Sequence, residues 1–149
     1  MADAELIERI GLLEAHAAIA DLIHRYALNI RTGRAADSAA LFTADGEFVV
    51  RDVEGPRSTE FNQRTHAVGR EALLAYIGGS SSSNFQVVPL IRNILIDVTG
   101  DTATSTCLMN SRSWPAGAEV FGHYLDSFRK EDGEWRFASR IFTIVRKPV

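Results

Sequence analysis

Three stretches, DTATSTCLMNSRSW (101–114), AEVFGHYLDSFRK (118–130) and EWRFASRIFTIVR (134–146), are separated only by Pro115-Ala116-Gly117 and Glu131-Asp132-Gly133. Each is rich in β-branched and aromatic residues and each break carries a glycine, the pattern of long strands joined by tight turns. A further run, Phe85 to Val98, leads into them through Thr99-Gly100-Asp101. Turns this short force antiparallel neighbours, because a parallel partner needs a crossover of roughly a dozen residues. Strands this long do not stay flat, so twist is expected to curl the sheet.

Toward the N-terminus the period changes to that of helix. Ile19, Leu22, Ile23, Tyr26 and Ile30 recur at spacings of three and four, one face of a helix running from Ala4 to Thr32 and stopped at Gly33. A short second helix is expected from about Ala35 to Phe42, a strand over Glu47–Arg51, and a third helix from Gly69 through Ile77, stopped by Gly78-Gly79. The polar stretch Glu54 to Ala67, with Gly55-Pro56, reads as a long loop, and Ser80–Asn84 as a flexible connector. Helices first and a strand meander after them predict one α+β domain spanning 1–149, with the helices on one face of the sheet. A helix layer across a curled sheet encloses a wedge; side chains fill one end, and the other is left for a ligand.

Composition narrows the function classes. The 149 residues are 46% hydrophobic and 23% charged with a formal net charge of −3, the balance of a folded domain. No apolar run approaches the roughly 18 residues of a membrane helix. The acidic start, Met1 to Glu5, passes directly into an amphipathic pattern unlike a signal peptide, so a cytoplasmic chain without membrane contact is expected. The basic residues are scattered rather than gathered into a stripe, which argues against nucleic acid. The single cysteine, Cys107, excludes an internal disulfide and reads as a small buried hydrophobe. His16 and His24 are too far apart to chelate one ion as an i, i+4 pair, and neither a metal nor a cofactor is expected. There is no G-x-S-x-G, and Gly78-Gly79 does not open a helix after a strand, so neither a nucleophile elbow nor a phosphate loop is implied.

The stretch Ile19-Ala20-Asp21-Leu22-Ile23-His24-Arg25-Tyr26-Ala27, followed by Asp37-Ser38-Ala39-Ala40-Leu41-Phe42-Thr43-Ala44-Asp45-Gly46, resembles the opening of the SnoaL-like family. Val68 to Leu73, Asn93 to Ala103, and Gly122 to Asp126 through Gly133 to Arg140 agree with it in the family's order. The family is similar to scytalone dehydratase and falls in the nuclear transport factor 2-like superfamily. The resemblance implies a cone, a cystatin-like α+β roll in which a curled antiparallel or mixed sheet wraps about three helices and leaves a pocket at its open end. Such cones host dehydratases, isomerases, cyclases, dioxygenase small subunits and plain binding modules. In catalytic relatives the resemblance also implies an Asp five residues after the helix-one Tyr and a His four residues before the Asn of the later strand. Here those positions hold Arg31 and Pro89. Arginine stays protonated and proline offers no side-chain donor or acceptor, so that acid–base dyad is missing.

The candidate residues each read in two ways. Tyr26 is either an amphipathic core residue or a donor that polarises a substrate carbonyl. Arg31, in the last helical turn, is either a solvated cation or an arginine at the pocket mouth that binds a carboxylate or enolate. Asn93 shares strand parity with Pro89, Ile91, Leu95 and Asp97 and is a structural bridge or a substrate hydrogen-bonder. His123 shares a face with Phe121 and Leu125, as a satisfied core residue or as an acid or base pointing into the cone. His66, in the polar stretch, is merely exposed or closes over the pocket. Asp126 and Arg140 are placed to pair across the final hairpin, a structural role, while Phe128, Trp135 and Phe137 read as core or dimer-face aromatics.

Three functions follow as expectations. The first is a cofactor-independent dehydratase or isomerase acting on a small apolar or aromatic carbonyl compound, with Tyr26 and Asn93 holding the oxyanion and His123 or His66 moving the proton. The second is a non-catalytic small-molecule-binding domain that lost the dyad. The third is a structural partner like the small subunit of a ring-hydroxylating dioxygenase. A homo-oligomer, dimer or trimer, is expected because a sheet packed on one side leaves apolar strand positions uncovered.

Overall fold

The computed structural model describes residues 2–81 and 86–146, the side chains of residues 80 and 81 excepted. Helix α1 spans Ala2–Arg31 and α2 spans Ala35–Ala40. Strands β1 (Phe42–Glu54) and β2 (Asn62–Val68) precede helix α3 (Arg70–Ser81). Then come β3 (Gln86–Val87), β4 (Leu90–Thr99), β5 (Thr102–Trp114), β6 (Glu119–Glu131) and β7 (Glu134–Arg146). The sheet runs β2-β1-β7-β6-β5-β3, with β4 also paired to β5. All described pairings are antiparallel except β1 with β7, so the sheet is mixed. Three helices against this curled sheet form the expected α+β cone.

Helix α1 buries Ala15, Ile19, Leu22, Ile23 and Tyr26, the face given by its spacing. It stops where expected. Gly33 takes φ 71°, donating to the Ile30 carbonyl while Arg34 donates to Asn29, which satisfies carbonyls the helix leaves open. The last hairpin turns on Asp132 and Gly133, both at positive φ, a two-residue turn whose twist suits a tight hairpin.

Several expectations need correction. The stretch Glu54 to Ala67 is not all loop, since β2 begins at Asn62 and pairs with β1. It is an edge strand of which only Ala67 is buried, so it lacks the apolar alternation that marks a strand. The strand expected over Glu47–Arg51 is the middle of a longer one, Phe42–Glu54. The run Phe85 to Val98 is split at Val88-Pro89, where proline cannot donate to the ladder. Helix α3 continues through Gly78-Gly79 to Ser81, and the rest of the expected connector, 82–84, lies outside the described residues along with Phe85.

Two bulges set which side chains reach the interior. Between Ser127 and Phe128 the β6–β7 register shifts by one, with Ala138 as the extra residue on β7. Phe137 faces inward before it, and Arg140, Phe142 and Ile144 face inward after it; strict alternation would have turned them out. On β4 the register shifts between Arg92 and Leu95, around Asn93 at φ 55°. Beyond that bulge Ile94, Ile96 and Val98 pack against the core and Leu95 is exposed.

Candidate functional site

A cavity of about 240 Å³ opens between α1, α3 and the concave side of the sheet. Tyr26 and Ile30 of α1, Phe48 and Val50 of β1, and Tyr76 and Ile77 of α3 form part of its wall. Tyr124 of β6, Phe142 and Ile144 of β7, and the segment Gln86 to Pro89 complete it. The wall is apolar apart from three phenol groups and one amide. No imidazole, carboxylate or guanidinium belongs to it among the described residues.

Behind the wall lies a buried ion pair. Arg140 donates from Nε to Asp126 at 3.0 Å, both side chains having 0% exposure. Its Nη2 donates to the other carboxylate oxygen at 3.4 Å, and Ser105 donates to that oxygen at 3.5 Å. The guanidinium also stacks on aromatic faces, 3.8 Å from the Tyr124 ring centre, 4.4 Å from Tyr26 and 4.7 Å from Phe137. Its Nη1 has no hydrogen-bond partner among the described residues, and these rings stand in for one. Removed from water, such a pair is held by geometry and not by a large net gain. Burial pushes the Asp126 carboxyl up to about 6 against the pull of Arg140, and leaves it ionised at neutral pH.

The same burial controls the tyrosines. It drives the Tyr26 hydroxyl well above its usual range, with Arg140 pulling the other way, and Tyr124 behaves alike. Both therefore keep their protons at neutral pH, so each hydroxyl is able to donate a hydrogen bond but not to act as a base. Among the described residues neither hydroxyl has a side-chain or backbone partner. Tyr26 is fixed by ring contacts instead, 6.1 Å from Phe137 and 6.2 Å from Phe48, while Tyr124 stacks on Phe142 at 4.7 Å.

The structure thus brings only one of the five candidate residues, Tyr26, to the cavity. His123 points to the convex side with Phe121 and Leu125, because the inward face of β6 is Val120, Tyr124, Asp126 and Phe128. Burial, and then Arg51 nearby, lower its pKa. His66 is exposed on edge strand β2, 3.1 Å from Glu47. Asn93 is exposed because the bulge turns it out of the alternation. Arg31 is exposed at the end of α1, one residue past the cavity-lining Ile30. Pro89, by contrast, does line the cavity: the position where catalytic relatives would carry histidine faces inward and carries no proton-transfer group. Asp126 and Arg140 pair as expected, and Phe128, Trp135, Phe137 and Cys107 are buried. Tyr124, Tyr76 and Gln86 were not foreseen. Tyr124 shares period-two spacing with Phe128, a signal that could have found it.

Comparison with known proteins agrees with this geometry. The sequence model of the SnoaL-like domain matches residues 12–141. An NTF2-like protein with a cystatin-like fold from Novosphingobium aromaticivorans superposes with a TM-score of 0.75 at 24% identity, covering 95% of this chain and 88% of that one. A ring-hydroxylating dioxygenase beta subunit of the same organism gives 0.75 at 20% identity, covering 93% and 94%. A scytalone dehydratase-like protein, also from that organism, gives 0.66 at 23% identity, covering 98% and 89%. These likenesses establish the fold. No curated protein matches the chain.

Proposed function

The chain belongs to the SnoaL-like domain family, and within it we propose that this cavity binds a small, flat, mostly apolar molecule bearing a carbonyl or phenol oxygen, without acid–base catalysis. The carrying observation is the lining: aromatic and aliphatic walls, the Tyr26 and Tyr124 hydroxyls without a partner among the described residues, and no group among those residues that could move a proton at neutral pH. Size favours a ligand of one or two rings. About 150 Å³ of apolar cavity suffices for benzene, and about 240 Å³ leaves room for a second ring or a substituent. A carbonyl oxygen would accept from Tyr26 or Tyr124, and the Arg140 guanidinium behind their rings strengthens those donors.

A second reading keeps the dehydratase or isomerase chemistry. It rests on the Tyr26 hydroxyl, which could polarise a carbonyl while a group of the substrate itself moves the proton. Titration of the chain with acetophenone, 1-tetralone, 2-naphthol and benzylamine, followed by ring fluorescence and calorimetry, tests the first reading. The neutral oxygen compounds should bind and benzylamine should not; absence of binding by any of them overturns it. Growth of conjugated-enone absorbance on adding hydroxylated cyclic ketones would favour the second reading instead.

A further inference from the structure

The rim of the cavity carries charge that its wall does not. Strands β1 and β7 run parallel in unbroken register from Glu47 to Glu54, so Asp52 pairs with Ile144 and Glu54 with Arg146. Val50 and Ile144 line the cavity. Asp52 and Arg146, two residues further on, share their face and stand one step outward from the wall. On the other side of β1 the register shifts between Val50 and Arg51, which leaves Arg64 as the extra residue on β2. Its Nε donates to Asp52 Oδ2.

The Asp52 side chain is 3% exposed, and Arg146 Nε stands 3.0 Å from its other oxygen. Two guanidiniums thus share one buried carboxylate. The further acid beside them, Glu54, is itself largely exposed and lies 3.7 Å from Arg146 Nη2, beyond hydrogen-bond reach. Among the described residues no hydrogen bond engages the Nη groups of either arginine. Asp52 anchors both forks at Nε and leaves the paired Nη donors, the edge that meets a second carboxylate two bonds at a time. Resting on the cavity reading above, we propose that the ligand carries a carboxylate opposite its carbonyl, bound by Arg64 and Arg146 at the rim while the ring system fills the cavity. The role that the sequence suggests for Arg31 falls instead to two residues of the sheet. Length fits as well. Tyr124 pairs with Phe142, and from there to Arg146 is four residues of strand, about 13 Å at the usual rise. One ring falls short of that interval; two fused rings substituted at opposite ends approach it, and the long arginine side chains close the remainder.

A matched set of probes tests it: 2-acetylnaphthalene, 6-acetyl-2-naphthoic acid and the primary amide of that acid, titrated by calorimetry at neutral pH. The acid should bind about tenfold tighter than the ketone or the amide at low salt, as a charge-assisted pair of hydrogen bonds would give. High salt should shrink that advantage and leave the ketone unaffected. Arg146→Gln and Arg64→Gln should each remove most of it with ketone affinity unchanged. Glu54→Gln should widen it, and Arg31→Gln should not alter it. Comparison of acid with amide needs no variant, so the test stands even where a substitution unfolds the chain. Ketone binding without preference for the acid overturns this proposal and leaves the cavity reading intact. An acid preference that survives both arginine variants, or that Arg31→Gln abolishes, also overturns it. Failure of all three probes to bind removes the cavity reading and this proposal with it.

Discussion

Tyr124 and His123 are neighbours in sequence and live in different media. On the concave side of β6 and β7, Tyr124, Asp126, Phe128, Arg140 and Phe142 are buried against the helices. On the convex side His123, Leu125, Ser127, Ser139 and Ile141 are half-buried. The backbone and its hydrogen bonds are shared, so the difference is one of surroundings. A charge on the inner face has lost its water and depends on its partner; one on the outer face keeps most of its hydration. The two faces should therefore answer mutation on different scales.

The largest response is expected at the ion pair. Arg140→Met leaves the Asp126 carboxylate buried and alone, and should cost about 3–5 kcal/mol. The double variant Asp126→Leu/Arg140→Met should recover most of that loss, because it removes both charges together. Urea unfolding of the wild type, the two single variants and the double variant checks it. A double variant as unstable as the sum of the singles would show that the inner face does not couple these groups.

Backbone approach on the same face comes next. A Cβ built on Gly122 would lie 1.9 Å from the carbonyl oxygen of Thr143 on β7. No flexible side chain can move aside there, so the β6–β7 ladder itself must shift. Gly122→Ala should cost about 1–3 kcal/mol, as overpacking of a core does, and should lower the melting temperature by several degrees. Because Ile144, opposite Gly122, lines the cavity, ligand affinity should fall with it.

Tyr26→Phe probes the cavity with little disturbance to the fold. The lost hydroxyl has no described partner, so stability should hold within about 0.5 kcal/mol. One donated hydrogen bond is worth about 1 kcal/mol, so affinity for an aromatic ketone should fall about fivefold. His123→Ala should leave that affinity unchanged, since the imidazole lies across the sheet from the ligand. Equal losses in both variants would erase the distinction between the faces.

That distinction was only partly legible in the sequence. Long periodic elements were plain: the buried stripe of α1, the strands closing at Asp132-Gly133, and the pairing of Asp126 with Arg140 all followed from spacing and turn chemistry. What strict alternation could not show was where it breaks. The extra residue at Ala138 turns Arg140 and Phe142 inward, and the bulge at Asn93 turns that residue out, yet neither carries a proline or glycine to announce it. His123 misled for another reason. Its neighbours Phe121 and Leu125 are apolar, but the outer face of this sheet is apolar too, so apolar company did not identify the interior. Strand β2 was hidden by its position, since an edge strand with one buried residue has a polar composition.

The smallest effect is a pH dependence on the outer face. Partial burial, reinforced by Arg51, lowers the His123 pKa in the folded chain. The unfolded chain titrates near the ordinary value of about 6.5. Above that pH both states carry a neutral ring and the group contributes no slope. As pH falls through 6.5 toward the lower folded value, the unfolded state takes up its proton first, and stability drops. His123→Gln should remove that increment, flattening the stability profile between about pH 7 and pH 5 relative to wild type. The change should be slight, because the half-exposed ring and the Arg51 charge are both screened by solvent. A steep loss that His123→Gln abolished would mean the outer face is drier than its exposure suggests, as it would be if another chain covered the sheet.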